Sequence, residues 1–219
     1  MEKMKAALSH CQICPRNCGV DRTAGKTGFC HAPALPKVAL VSGHHWEEPP
    51  ISGTKGSGTV FFSHCNLDCV FCQNHAISQE GFGQEISISR LAEIFLEQQA
   101  RGFHNINLVS AVQFLPQTAK ALELAKAQGL HLPIVYNSNG YESLTGLRQL
   151  EGLVDIYLPD FKYWNEALGV AYSHAPQYRE TAAAAILEMR RQAPKDSFDA
   201  DGILQKGLIV RHLVLPGQY

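Results

Sequence analysis

Three cysteines within a dozen residues carry the first chemical signal in this chain. The stretch SHCNLDCVFCQN, residues 63–74, places Cys65, Cys69 and Cys72 at the spacing C-x3-C-x2-C. That is one thiolate short of a closed four-ligand site. A [4Fe-4S] cluster on three thiolates leaves one iron open to an external ligand, and the open iron is where chemistry would be done. If His64 or His75, which flank the triad, supplied a fourth ligand, the site would instead read as structural zinc or as an electron-transfer cluster.

A second group, CQICPRNC followed by GFCHA, sets Cys11, Cys14, Cys18 and Cys30 at C-x2-C-x3-C-x11-C. So short a segment cannot bury a core, so a metal would supply its folding free energy. Zinc and an auxiliary iron–sulfur cluster both accept four thiolates. The standing of four-cysteine sites as a structural solution leans toward zinc. His31 is placed to substitute for Cys30, and unmetallated buried thiols are the remaining alternative. All 7 cysteines fall between positions 11 and 72. The odd count, with an opening MEKMKAALSH that lacks a secretion signal, argues for reduced thiols and a cytoplasmic chain.

The rest of the chain must position these residues. With 219 residues, 45% hydrophobic and 18% charged, it is long enough for one substantial core. A formal charge of -1 gives no electrostatic pull toward nucleic acid or an anionic membrane. No apolar run approaches the roughly 18 residues of a membrane span. Regular alternation starts at TVFFSHC (59–65), read as a buried strand. An amphipathic helix follows over 87–102 with Ser89 able to cap it, then strands and helices alternate: NINLVS, PQTAKALELAKAQG, LPIVYNSN, YESLTGLRQLEG, LVDIYLPD, YRETAAAAILEMRRQ and GLIVRHLVLP (207–216). Five such units predict an α/β fold with a parallel sheet curved into a partial (β/α)6 TIM-like barrel, whose strand ends carry the reactive groups. The expected division is a cysteine-rich segment at 1–37, a lead-in loop at 38–58 and the partial barrel at 59–219. The barrel stops after its fifth strand, and an unpaired edge there would invite association. SGTKGSGT (52–59) lacks the Gly-Lys-Ser/Thr ending of a phosphate loop and runs into a strand, so it is read as a flexible lead. Glu47 and Glu48 before it are either a solvated pair or a wall of the site.

Cys65, Cys69, Phe71 and Cys72 match C-x3-C-x-aromatic-C, and here the chain resembles the radical S-adenosylmethionine (SAM) superfamily. CPRNCGVDR, HHWEEPPISGTKGSGTVFFSHCNLDCVFCQN, VDIYLPDFKY and GLIVRHLVLPG extend the likeness to the pyruvate formate-lyase activating enzyme-like family, C-terminally incomplete relative to it. The resemblance implies an enzyme, an oxidoreductase or lyase, in which a [4Fe-4S] cluster cleaves SAM reductively to a 5'-deoxyadenosyl radical that abstracts hydrogen from substrate. It implies cofactor contacts by Phe71, Asn74, Ser110, Asn137, Ser138, Asp160, Lys162 and Arg211. It also implies a flavodoxin- or ferredoxin-type electron donor and a substrate that, for glycyl-radical activation, is a protein glycine. Asn137 replaces an aspartate of that family, SAVQ (110–113) lacks its Gly-Gly-Glu, and Pro50 stands where a cysteine is usual, so no further thiolate is expected near the mouth. The competing classes are an iron–sulfur electron carrier and a zinc-stabilised binding module.

Overall fold

The computed structural model describes residues 2–217. Helix α1 (Glu2–Ser9) and a cysteine-bearing loop lead to strand β1 (Lys37–His44). Then follow α2 (Pro49–Ser52), β2 (Ser57–Phe62), α3 (His75–Ser78), β3 (Gln84–Glu85), α4 (Ile88–Ala100), β4 (Ile106–Val109), α5 (Leu115–Ala127), β5 (Ile134–Ser138), α6 (Leu144–Leu147), β6 (Ile156–Phe161), α7 (Glu166–Ser173), α8 (Tyr178–Gln192), β7 (Ser197–Phe198), β8 (Leu204–Leu208) and β9 (Arg211–His212). The strands form a mixed sheet in the order β3-β1-β2-β4-β5-β6-β8-β7, and β9 pairs the far end of β6. Strands β2, β4, β5, β6 and β8 run parallel, joined by helical crossovers as parallel pairing requires. This is the expected α/β partial barrel, with the cysteine-rich segment leading into it.

Alternation divides the strand side chains between two faces. Val60, Phe62, Ile106, Leu108, Ile134, Tyr136 and Tyr157 pack outward in one core with Leu91 and Phe95 of α4 and Leu115 and Leu122 of α5. Val135, Ile156 and Leu158 point inward and close with Leu204 on Ile51. Helix α2 therefore plugs the concave face. Ile51 is fully buried, and its carbonyl accepts from Asn105 Nδ2 at 2.8 Å. Burying that side chain contributes about 2 kcal/mol.

Several local expectations change. Residues 38–58 hold β1 and α2, and β1 pairs antiparallel with β2 from Val38 opposite Phe62 to His44 opposite Ser57. The short run KVALVSG gives no turn signal to mark a hairpin-like return, so only the pairing reveals it as a strand. The flexible reading of 52–59 fails as well, because Ser52, Ser57 and Thr59 are buried and Ser57 already belongs to β2. The strand expected over 59–65 runs from Ser57 to Phe62, since His64 takes a φ of +69° that no strand continues. Ser87, not Ser89, caps α4, its Oγ accepting from Arg90 N at 3.0 Å. The helix expected over 141–152 contracts to α6 and the 3-10 turn Arg148–Leu150. The last strand is Leu204–Leu208, with Arg211–His212 a separate short pairing on β6. Among the described residues no helix is long and apolar enough to cross a membrane.

Tyr178 ties α8 to the ends of two strands. Its hydroxyl is shared between Asn139 O at 2.8 Å and Asp160 O at 3.1 Å, and accepts from Lys162 N at 2.9 Å. Tyr178→Phe leaves those buried main-chain groups unpaired and is expected to lower unfolding free energy by about 2 kcal/mol, measured by urea denaturation under anaerobic conditions.

Candidate functional site

The C-terminal ends of β2, β4, β5 and β6 surround a cavity of about 510 Å³. The loop after β2 brings Cys65, Cys69, Phe71, Cys72 and Asn74 to its wall. Ser110 arrives after β4, Asn137 and Ser138 from the end of β5, Asp160 and Lys162 from the end of β6, and Arg211 from β9. All eleven residues singled out for the cluster and its partner therefore line one chamber. A cavity of about 550 Å³ bounded by Pro49, Pro50, Gly53, His104 and Ile203 contains none of them. Pro50 thus lines this second cavity and not the chamber that holds the thiols.

The three thiols are surrounded by donors. Cys65 Sγ accepts from Leu67 N at 3.4 Å and Asn139 Nδ2 at 3.3 Å, Cys69 Sγ accepts from Ser173 Oγ at 2.9 Å, and Cys72 Sγ lies 3.2 Å from Ser78 Oγ. Burial pushes the Cys65 thiol up to about 12 and raises that of Cys69, so neither is a thiolate at neutral pH without added positive charge. Among the described residues no three His, Cys, Asp or Glu side chains converge to hold a single ion. With their sulfurs on the wall of one chamber, Cys65, Cys69 and Cys72 could hold a four-iron cluster and leave its remaining iron to a ligand from the cavity. The donor set fits that group. His64 also lines the cavity, while His75 is exposed and pairs with Glu80 at 3.3 Å.

Opposite the thiols, Asp160 accepts from Lys162 Nζ at 2.6 Å and from Arg211 Nε at 2.8 Å. Arg211 Nη2 donates to Asn137 Oδ1 at 2.6 Å, so the Asn137 amide is engaged by the arginine. Lys162 and Arg211 are therefore paired inside the site and not free in solvent. Arg211 Nη1 also stands 3.7 Å from Glu47 and 3.8 Å from Glu48. Glu47 is part of the wall of the site, and burial, with Glu48 alongside, pushes its carboxyl up to about 7 against the pull of Arg211. Beneath β5, buried Glu142 accepts from Ser138 Oγ at 2.6 Å and Tyr136 Oη at 2.9 Å, and desolvation likewise raises it to about 7.

Gln113 escaped the sequence reading. Its Nε2 lies 2.9 Å from the carbonyls of Ser63 and His64 and 2.8 Å from that of Ser110, bracing the residues just before Cys65 against the end of β4. His64 and Ser110 both hold left-handed φ values, +69° and +58°, and this brace secures them. A glutamine inside the apolar run SAVQFLP was the available signal, because such a side chain is buried only when hydrogen-bonded.

The N-terminal cysteines lie outside the cavity. Cys11 and Cys14 are buried, Cys30 is half-buried and Cys18 exposed. Burial pushes the Cys14 thiol up to about 12, with Cys30, Cys11 and Cys18 adding to the shift. Their segment is pinned to the barrel. Arg22 Nη1 donates to Gln113 O at 2.7 Å, Arg16 Nε to Asn66 O at 2.9 Å, and Ser143 Oγ to Ile13 O at 2.6 Å.

The family described as Radical SAM superfamily matches residues 59–197. At 30% identity, 99% of the chain aligns with an uncharacterized protein of Methanocaldococcus jannaschii, and it spans 60% of that relative's length.

Two measurements follow from this geometry. Gln113→Leu strands three carbonyls and is expected to cost on the order of 3 kcal/mol in anaerobic urea unfolding and to lower iron retained per chain. Glu47 and Glu142 hold their protons to about 7 in the fold against 4.5 ordinarily, so their stabilisation is full below about 4.5 and lost as pH rises through about 7. The melting temperature of the metal-free chain should fall across that window, and fall less in Glu142→Gln.

Proposed function

The chain belongs to the radical SAM superfamily, and from that premise we propose that Cys65, Cys69 and Cys72 hold a [4Fe-4S] cluster whose open iron takes SAM. When bound, that pair supplies reductive cleavage of SAM and a 5'-deoxyadenosyl radical for hydrogen abstraction. The chain's own residues do the rest. Asn139, Leu67 N and Ser173 direct N–H and O–H groups at the sulfurs, spreading thiolate charge and raising the potential at which an electron is accepted. Phe71, Asn74, Ser110, Asn137, Ser138, Asp160, Lys162 and Arg211 are assigned to SAM, with Asp160 held in place by its two cations. Single-electron chemistry needs a chamber that keeps water out, and the inward plug of α2 closes the floor.

The observation that carries this reading is the meeting of three thiols with polar groups from the ends of three further strands in one chamber. An electron carrier needs the thiols but not the chamber, and a zinc-stabilised binding module needs neither. In finer detail, we assign Cys11, Cys14, Cys18 and Cys30 to zinc or a second iron–sulfur cluster. A flavodoxin or ferredoxin is the proposed electron donor, the cytoplasm the proposed compartment, and a protein glycine the proposed substrate, as in activation of a glycyl-radical enzyme. Residues 1–37 are proposed as a metal-binding unit seated on the barrel.

Anaerobic reconstitution with iron and sulfide, then dithionite and SAM, is expected to yield 5'-deoxyadenosine by chromatography. Cys69→Ala should lower the yield at least a hundredfold, about 3 kcal/mol of lost barrier reduction. A parent chain that carries four irons at the triad yet forms no product would sink the assignment.

A further inference from the structure

No residue of α7 lines the chamber, yet the end of that helix grips the loop that carries Cys69. Asp68 N donates to Ser173 O at 3.2 Å and Val70 N to Tyr172 O at 2.9 Å. Just beyond the helix, His174 Nδ1 lies 3.0 Å from Asp68 Oδ2. The residues on either side of Cys69 are thus bonded to successive carbonyls of α7. Between those two bonds Ser173 Oγ donates to Cys69 Sγ at 2.9 Å.

Ser173 is fully buried, and its hydroxyl has a second neighbour in Tyr163, whose Oη lies 2.6 Å away. Tyr163 is buried too, and Ser173 Oγ is the one hydrogen-bond partner of its hydroxyl among the described residues. The direction of this chain follows from its end. A cysteine sulfur bound to iron is a thiolate and can only accept, so the Ser173 proton points at Cys69 and the Tyr163 proton at Ser173. Burial pushes the Tyr163 phenol up to about 12, so it keeps that proton at neutral pH. Its ring stands edge-on to Tyr178 at 5.3 Å, and Tyr178 is itself fixed to the ends of β5 and β6.

Two hydrogen bonds in series polarise one another in surroundings that exclude water. Without the tyrosine hydroxyl, that of Ser173 is free to turn to the carbonyl four residues back, the usual partner of a serine inside a helix and here that of Gly169. We propose that Tyr163 is a positioning residue for the iron–sulfur cluster: through Ser173 it fixes and strengthens the hydrogen bond to Cys69 Sγ, and so raises the potential at which the cluster takes its electron. The inference rests on the reading of Cys69 as a cluster ligand. It goes beyond that reading because Tyr163 lines no part of the chamber and makes no hydrogen bond to a thiol among the described residues.

The test is a redox titration of the reconstituted parent, Tyr163→Phe, Ser173→Ala and the double variant, with dithionite and mediators under anaerobic conditions. Iron per chain is counted in each sample and cluster reduction is followed by electron paramagnetic resonance. At the parent's midpoint the ratio of reduced to oxidised cluster is expected to fall about tenfold in Ser173→Ala, a shift of about 59 mV. In Tyr163→Phe it should fall roughly two- to threefold. The double variant should match Ser173→Ala, because Tyr163 acts only through that hydroxyl. Stability should follow a different order. Ser173→Ala strands a buried phenol hydroxyl and the double variant removes it, so in urea the double variant should unfold no earlier than Ser173→Ala. Packing alone would move potential and stability together. An exchangeable proton beside the cluster, seen by electron–nuclear double resonance in the parent, should vanish in Ser173→Ala. An unchanged potential in Tyr163→Phe, or a further fall in the double variant beyond Ser173→Ala, would overturn the proposal. A triad that takes up no cluster would overturn it together with the radical SAM reading, whereas SAM cleavage by a parent whose potential ignores both substitutions overturns this inference alone.

Discussion

A parallel sheet that opens onto a cavity leaves main-chain carbonyls at its strand ends with no neighbouring strand to bond, and burial without partners would cost more than the strands gain. In this protein side chains close that ring. Gln113 takes the carbonyls of Ser63, His64 and Ser110, Tyr178 those of Asn139 and Asp160, and Asn66 Nδ2 that of Tyr141 at 2.7 Å. Each of these donors comes from a different part of the chain. The same bonds that rescue the strand ends also fix the places from which Cys65, Asn139 and Asp160 face the cavity. Gly140 shows how tight this ring is: with φ at +80°, an added Cβ there would lie 2.2 Å from Asp160 O.

Charge is arranged around the same ring. The thiols stand on one side with neutral N–H and O–H donors aimed at them, and the ionised groups stand on the other, where Asp160 is matched by Lys162 and Arg211. Burial raises the thiols of Cys65 and Cys69, which disfavours packed negative charge on that wall and would make metal binding there a proton-releasing step. Neutral Asn137 belongs to this economy, since it accepts from Arg211 without adding another charge to a lumen already carrying Glu47 and Glu48.

What the sequence reading caught and missed follows the range of the interactions involved. The triad, the strand ends at Asn137 and Asp160, and α8, seen over Tyr178–Gln192 as expected, announce themselves through spacing, alternation and propensity within one short window. β1 was missed because its role comes from pairing with β2, and α2 because four residues leave no period to read. Glu47 and Glu48 read equally as a solvated pair or as a wall of the site, and it is the burial of Ile51 beside them that draws this turn inward. Gln113 has partners 49 and 50 residues away. No local pattern encodes such a brace, although a polar residue stranded in an apolar run hints that one exists.

Arg22 reaches Gln113 across 91 residues of chain, and Gln113 in turn holds the loop that precedes Cys65. The two cysteine-bearing segments are thus secured by contacts about 50 to 90 residues apart in sequence, and loop closure on that scale comes late in folding. Until it is complete, Cys14 and Cys65, whose thiols the finished fold buries, are open to solvent. How long those two thiols stay open to oxidation therefore depends on how fast the distant ends meet.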